Sequence, residues 1–316
     1  MLKIWKDRLV SLAAVSALAG CAAASGINSV PSGVAQSLFS RSAGHPVLYV
    51  SETHTNAVYT FDPAKIAAGP TGKITAGVSR PGALAVGPDN VLYVANAHNV
   101  SLYKPGAASP FKTIVSNFGV PSRVAVAADN TLAIAYANGF KSDGELVIYD
   151  KGSASPTREI RIPLIGNNLL LSMVGLEIDA ADNVFLATAR YALGPGLVQK
   201  FAPGSINGLV TGLMPADGGG FDAAGNLYNG FEAAICVHVR TGSRCARTVT
   251  NGVADVVPFA VRSDGAMFVP NAEHYVNGNA TNGNLVAYAP GGSTPIATYS
   301  SPTFVDPEGA ALGTLP

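Results

Sequence analysis

Apolar triplets and polar turns alternate along this chain in a fixed order. The clearest unit starts at Pro81 and reads PGALAVGPDNVLYVANAHNVSLYKPG. It contains an apolar strand over 83–86, a turn at Asp89-Asn90, a second apolar strand over 91–94, a polar loop and a third strand over 100–103. Val126, Ile178, Phe221 and Val261 stand in later copies where Val86 stands here. The pairs Asp129-Asn130, Asp182-Asn183, Gly225-Asn226 and Asp264-Gly265 repeat the turn, and these residue types tolerate the positive φ of a tight hairpin. Third strands are expected over 146–149, 197–201, 235–239 and 285–288, and fourth strands over 111–115, 158–162, 209–213, 247–250 and 296–299. Four short strands per unit, at a spacing of roughly 40 to 50 residues, predict an all-β propeller.

The two ends complete the count. Leu48-Tyr49-Val50 matches the second strand Leu92-Tyr93-Val94, so the first unit lacks its own first strand. Residues 307–312, PEGAAL, align with 81–86 and supply it. The chain is thus expected to form a six-bladed β-propeller over 46–316, closed by the C-terminal strand joining the N-terminal blade, a closure that removes free sheet edges. An open β-sandwich is the alternative architecture, but it has no need of a fixed repeat.

In the segments PGALAVGPDNVLYVAN and FDAAGNLYNG the repeat resembles the NHL-repeat group of six-bladed propellers. It is more distantly similar to the gluconolactonase and senescence-marker-protein group. The resemblance covers most of the chain from about Pro46 onward and implies blade geometry. Members of the second group hold a divalent metal with a Glu from a Glu-Gly-Pro start and with Asn and Asp from later blades. Here Glu308-Gly309 echoes that start, and Ala310 stands in place of the Pro.

The first twenty residues read differently. Lys3, Lys6 and Arg8 form a basic start, 9–18 an apolar stretch too short to span a bilayer, and Leu18-Ala19-Gly20-Cys21 a lipoprotein cleavage region. Residues 1–20 are therefore expected to be a bacterial lipoprotein signal peptide, with Cys21 the acylated N-terminus carrying palmitate-type chains. An ordinary secretory signal with a chance Cys is the alternative. Ala22 rather than Asp after Cys21 points to the outer membrane, and 21–45 reads as a lipidated Cys and flexible Ala/Ser/Gly tether. The membrane is then a partner through the lipid.

Composition suits an exported domain of many buried strands: 48% of residues are apolar and 13% charged, with 35 Gly and 21 Pro. Lys+Arg and Asp+Glu balance at 20 each, and loss of the signal tips the balance slightly acidic. Nothing in this charge pattern recruits nucleic acid. The single Trp, Trp5, leaves with the signal. Cys236 and Cys245 flank Arg240-Thr241-Gly242-Ser243 in the hairpin of the fifth blade's third and fourth strands. They are expected to form a disulfide in an oxidising compartment, the alternative being two small buried hydrophobes.

Loops joining second to third strands gather on one face around a propeller's channel. The position of His98 is held in the other copies by His54, Asn138, Arg190, Ala233 and Glu273. Two residues earlier stand Glu52, Asn96, Tyr136, Thr188, Phe231 and Asn271. Blades six, one and two are neighbours after closure, which groups Glu52 and His54, Asn96 and His98, Glu273 and His274, and Glu308. Imidazoles with a carboxylate are a common ligand set for zinc, and calcium is the other divalent candidate. Solvated loop residues are the alternative for the whole group. No Gly-x-Ser-x-Gly nucleophile or phosphate-binding glycine loop occurs, and Gly218-Gly219-Gly220 suits tight packing near the axis. Two insertions, 165–171 and 275–284, suit an apolar lip and a polar flap, or for the first an extra strand or turn. The leading functional expectation is a non-enzymatic, lipid-anchored envelope propeller that presents its loop face to a protein or small ligand. A metal-dependent, lactonase-like hydrolase or lyase at the channel mouth is the alternative.

Overall fold

The computed structural model describes residues 44–115, 117–137, 144–151, 153, 155–162, 171–190, 196–213, 216–272, 274–276 and 279–316, with backbone only at 171–172, 189–190, 241, 274–276 and 279–281. The signal segment, Cys21, the tether up to residue 43, Asn138, Glu273 and insertion residues 165–170 lie outside the described residues, and His45, the last residue assigned to the tether, opens the strand His45–Glu52.

Six antiparallel four-stranded sheets form the blades of a β-propeller. From the axis outward, blade two consists of Leu84–Val86, Leu92–Ala95, Asn99–Tyr103 and Lys112–Val115. Blades three to six follow in chain order, beginning with the inner strands Val120–Val126, Leu171–Ile178, Gly218–Phe221 and Ala260–Val261. Blade one begins with Pro307–Leu315 and continues with His45–Glu52, Ala57–Phe61 and Gly72–Ile74. The closing register pairs Leu48 with Leu312, Tyr49 with Ala311 and Val50 with Ala310, as the repeat alignment requires. The expected loop of the sixth blade contains a two-stranded hairpin of its own, His274–Val276 against Asn279–Thr281.

The strands read as unbroken apolar runs because each blade is covered on both faces by its neighbours. Side chains alternate across a strand, so Leu48 and Val50 pack against Phe268 and Leu285 of blade six. Tyr49 between them packs against Leu84 and Val94 of blade two. Similar layers lie between every other pair of adjacent blades. Burial of a Leu or Val side chain in such a layer stabilises by about 1.5–3 kcal/mol. The outer strands are short and half polar, for example Gly72–Ile74 and Arg247–Val249, which limits the edge they offer to other chains.

Near the axis the inner strands approach closely. A Cβ on Gly218 would lie 2.4 Å from Pro258 Cα, and one on Gly219 1.9 Å from the Tyr228 carbonyl oxygen. No side chain fits there, which explains the glycine run. The turn residues also behave as read: Asn90 and Asn130 take φ of 61° and 70°. Cys236 and Cys245 form the expected disulfide, with Cα atoms 5.4 Å apart.

Candidate functional site

Each inner strand starts at one rim of the channel, and its third position in the Pro81 alignment faces the neighbouring inner strands. Gly309, Ala83, Gly175, Gly218 and Pro258 hold this position in blades one, two, four, five and six. Blade three carries Arg123 instead. Its side chain reaches across the next two blades. Nε donates to the Val174 carbonyl at 2.7 Å and Nη2 to the Asp217 carbonyl at 3.4 Å, while Nη1 donates to the Ser122 carbonyl at 2.8 Å. A guanidinium thereby binds the start of three blades, and its positive charge stays at the mouth.

Asp217 and Glu308 face that charge, and Asp255 and Asp306 stand beside those two carboxylates. Asp217 precedes the inner strand of blade five, Asp255 that of blade six, and Asp306 and Glu308 belong to the segment that closes blade one. Burial pushes the Glu308 carboxyl up to about 7; the charge of Asp306, a hydrogen bond with its side chain and the charge of Asp255 act the same way, against Arg123. Asp217 is also raised, first by burial and then by Asp255 and Glu232, with Arg123 opposing. The rim therefore carries excess negative charge, and near neutral pH Glu308 exchanges a proton with solvent. Such a rim attracts cations and can give or take a proton.

Several expected site residues hold the fold. Glu52 is fully buried, and its carboxylate accepts the backbone N–H groups of His54, Thr55 and Asp306 at 3.3, 2.5 and 3.0 Å. It therefore ties the first hairpin to the chain entering the closing strand. Asn96 is 2% exposed; it accepts from Ser79 N–H and donates to the Gly77 carbonyl, Asn99 Oδ1 and Ser101 Oγ. Asn271 repeats the bond pattern with Ala254, Gly252 and Asn284. His54 and His98 are exposed on their turns. Glu273 lies outside the described residues, and His274 is described by its backbone alone. Among the described residues no group of three or more His, Cys, Asp or Glu side chains is placed to hold a metal ion.

Of the expected residues whose side chains are described, Glu308 alone belongs to the carboxylate rim. Arg123, Asp217, Asp255 and Asp306 were not singled out from the sequence. Their signal is nonetheless present in the aligned blade starts: one Arg among small residues, Asp217 in the column of Glu308, and Asp255 in the column of Asp306. Between blades four and five, Glu177 faces a cavity of about 20 Å³ that Asn229 also lines. Its Oε1 accepts the Gly219 N–H at 3.1 Å, and burial pushes its carboxyl up to about 8.

No protein-family model matches the chain, and no curated protein matches it. Several solved structures share its shape. A Bacteroides caccae protein of unknown function superposes with a TM-score of 0.63 at 11% identity, covering 85% of this chain and 98% of that one. A chain of the nidogen/laminin complex gives 0.62 at 13%, with 85% and 98% covered. The Cps50 (Swd1) β-propeller domain of Myceliophteria thermophila gives 0.51 at 10%, with 83% and 88% covered. At such identities the likeness establishes the architecture alone, and that architecture is the β-propeller.

Proposed function

We propose that this chain is a lipid-anchored, non-enzymatic binding module of the bacterial cell envelope whose channel mouth takes a cationic ligand.

 The reading is supported by one arrangement above all: Asp217 and Glu308 facing the guanidinium of Arg123, with Asp255 and Asp306 beside them. An excess of carboxylates over guanidinium groups among the described residues of the rim raises the local concentration of positively charged molecules. The ligand class is an amine-bearing small molecule or a basic segment of an envelope protein; both present the same cationic groups. Anchoring through Cys21, export to the outer membrane and similarity to the NHL-repeat propellers rest on the sequence features described above.

Calorimetric titration of soluble protein lacking residues 1–21 with spermidine, and separately with an oligo-lysine peptide, tests the reading. Binding should tighten as pH rises through about 7, because Glu308 ionises there, and should weaken in Asp306→Asn/Glu308→Gln. Equal affinity in the double variant and the parent, or no binding of either probe, would refute it. Metal analysis of the same protein separates the opposing reading: a stoichiometric divalent ion would favour the metal-dependent hydrolase or lyase.

A further inference from the structure

The hairpin on the outer side of blade five carries chemistry that the channel mouth does not use. Its disulfide joins Cys236, buried on the strand Ala234–His238, to the exposed Cys245. His238 lies two residues beyond Cys236, on the same face of the strand, and is 1% exposed. Its Nε2 is 3.2 Å from Cys236 Sγ, and its Nδ1 is 2.8 Å from the Gly242 carbonyl oxygen. A carbonyl can only accept, so Nδ1 carries a proton and donates it. In the neutral ring Nε2 then presents its lone pair to the sulfur.

The two sulfurs consequently differ. Cys245 Sγ lies 3.1 Å from the Arg247 carbonyl oxygen, whose partial negative charge opposes a thiolate at that position. Cys236 Sγ lies against an imidazole able to take its proton and to hold the resulting thiolate by charge and hydrogen bond. Arg240, Arg244 and Arg247 add positive charge to the same hairpin. Positive surroundings of this kind stabilise thiolates. The exposed sulfur is the one an incoming thiol can reach.

We propose that Cys236–Cys245 is a thiol–disulfide exchange site for a dithiol, with Cys245 the attacked sulfur and His238 holding the departing sulfur of Cys236. One thiolate of the dithiol attacks Cys245 Sγ and forms a mixed disulfide. The Cys236–Cys245 bond breaks, its electron pair leaves on Cys236 Sγ, and His238 Nε2 takes up from solvent the proton that the attacking thiol released, so that an imidazolium holds the departing thiolate. The second thiolate of the dithiol then attacks its own sulfur in the mixed disulfide and expels the sulfur of Cys245. The dithiol is oxidised by two electrons to its disulfide, the cysteine pair is reduced by two, and of the two dithiol protons one ends on Cys245 and the other on the Cys236–His238 pair. Because a leaving thiol of lower pKa departs faster, His238 accelerates the first step.

The test uses the oxidised chain in a Cys21→Ser background, with dithiothreitol as the dithiol and glutathione as the trapping monothiol. His238→Gln should slow reduction at neutral pH by about tenfold, and peptide mapping should place trapped glutathione on Cys245. In Cys245→Ser, the thiolate absorbance of Cys236 should rise with a midpoint well below the ordinary thiol value of about 8.5, and His238→Gln should return it to that range. Equal reduction rates with and without His238, or glutathione on Cys236, would overturn the proposal. If His238→Gln does not fold, the Cys245→Ser titration decides alone, and a midpoint at or above about 8.5 refutes.

Discussion

Replacing Glu177 by Gln should stabilise the protein at neutral pH. The Glu177 carboxyl is enclosed between blades four and five, facing a cavity of about 20 Å³, room for about one water. Burial raises it from an ordinary value of 4.5 to about 8, although the Gly219 hydrogen bond and the charge of Arg123 oppose the rise. In the unfolded chain the group ionises near 4.5, whereas the folded protein keeps the proton until about pH 8. Over that window the folded state binds more protons than the unfolded state, so stability falls as pH rises. The contribution is fully present below the unfolded value and is lost by the folded one. At pH 7 the interval already crossed corresponds to roughly 3 kcal/mol, at about 1.36 kcal/mol per pH unit. Gln keeps an oxygen to accept from Gly219 and ionises at no pH.

Urea unfolding of wild type and Glu177→Gln between about pH 5 and 8 measures this directly. The variant's advantage should be near zero at the acid end and grow to roughly 3 kcal/mol at neutrality, a Tm increase of roughly 5 °C for a domain of this size. Comparing the two proteins cancels the slopes contributed by Glu308 and Asp217. A difference that stays constant with pH, or a variant that loses ground as pH rises, would refute the assignment of a buried, protonated carboxyl.

Three further outcomes follow from the fold. Truncation before Pro307 removes the inner strand of blade one and should collapse the thermal transition; an unchanged Tm would contradict closure by the C-terminal strand. Glu52→Ala leaves the N–H groups of Thr55 and Asp306 without their acceptor and should cost about 2–4 kcal/mol in denaturant unfolding; a loss below about 0.5 kcal/mol would remove its role as a clasp. Asn90 and Asn130 hold equivalent turn positions, but Asn90 Oδ1 accepts the Thr314 N–H at 3.0 Å whereas Asn130 Oδ1 is buried without a partner. The residue of blade two matching Thr314 is Pro88, which has no N–H to give. Asn90→Gly should therefore destabilise by about 1 kcal/mol and Asn130→Gly should be neutral or stabilising; equal losses would sink this account.

The sequence by itself determined the architecture because its signals are local and repeated. Asp89-Asn90 and its copies mark hairpins, the apolar triplets mark strands covered on both faces, and Leu48-Tyr49-Val50 without a preceding strand calls for Pro307-Glu308-Gly309. The disulfide was legible for the same reason, since the chain that turns back after Ala234–His238 returns Cys245 to the side of Cys236, although the strand register pairs Cys236 with Thr248. The tertiary structure decided what the polar residues do. Glu52, read as a possible ligand, spends its carboxylate on backbone groups that include Asp306, 254 residues away. Arg123 stands in an ordinary strand start, and closure of the ring brings it among carboxylates of blades one, five and six. Glu177 looks like any strand carboxylate until blade five covers it. Burial and long-range charge depend on which blades face one another across the axis, and a pattern read along one strand contains neither.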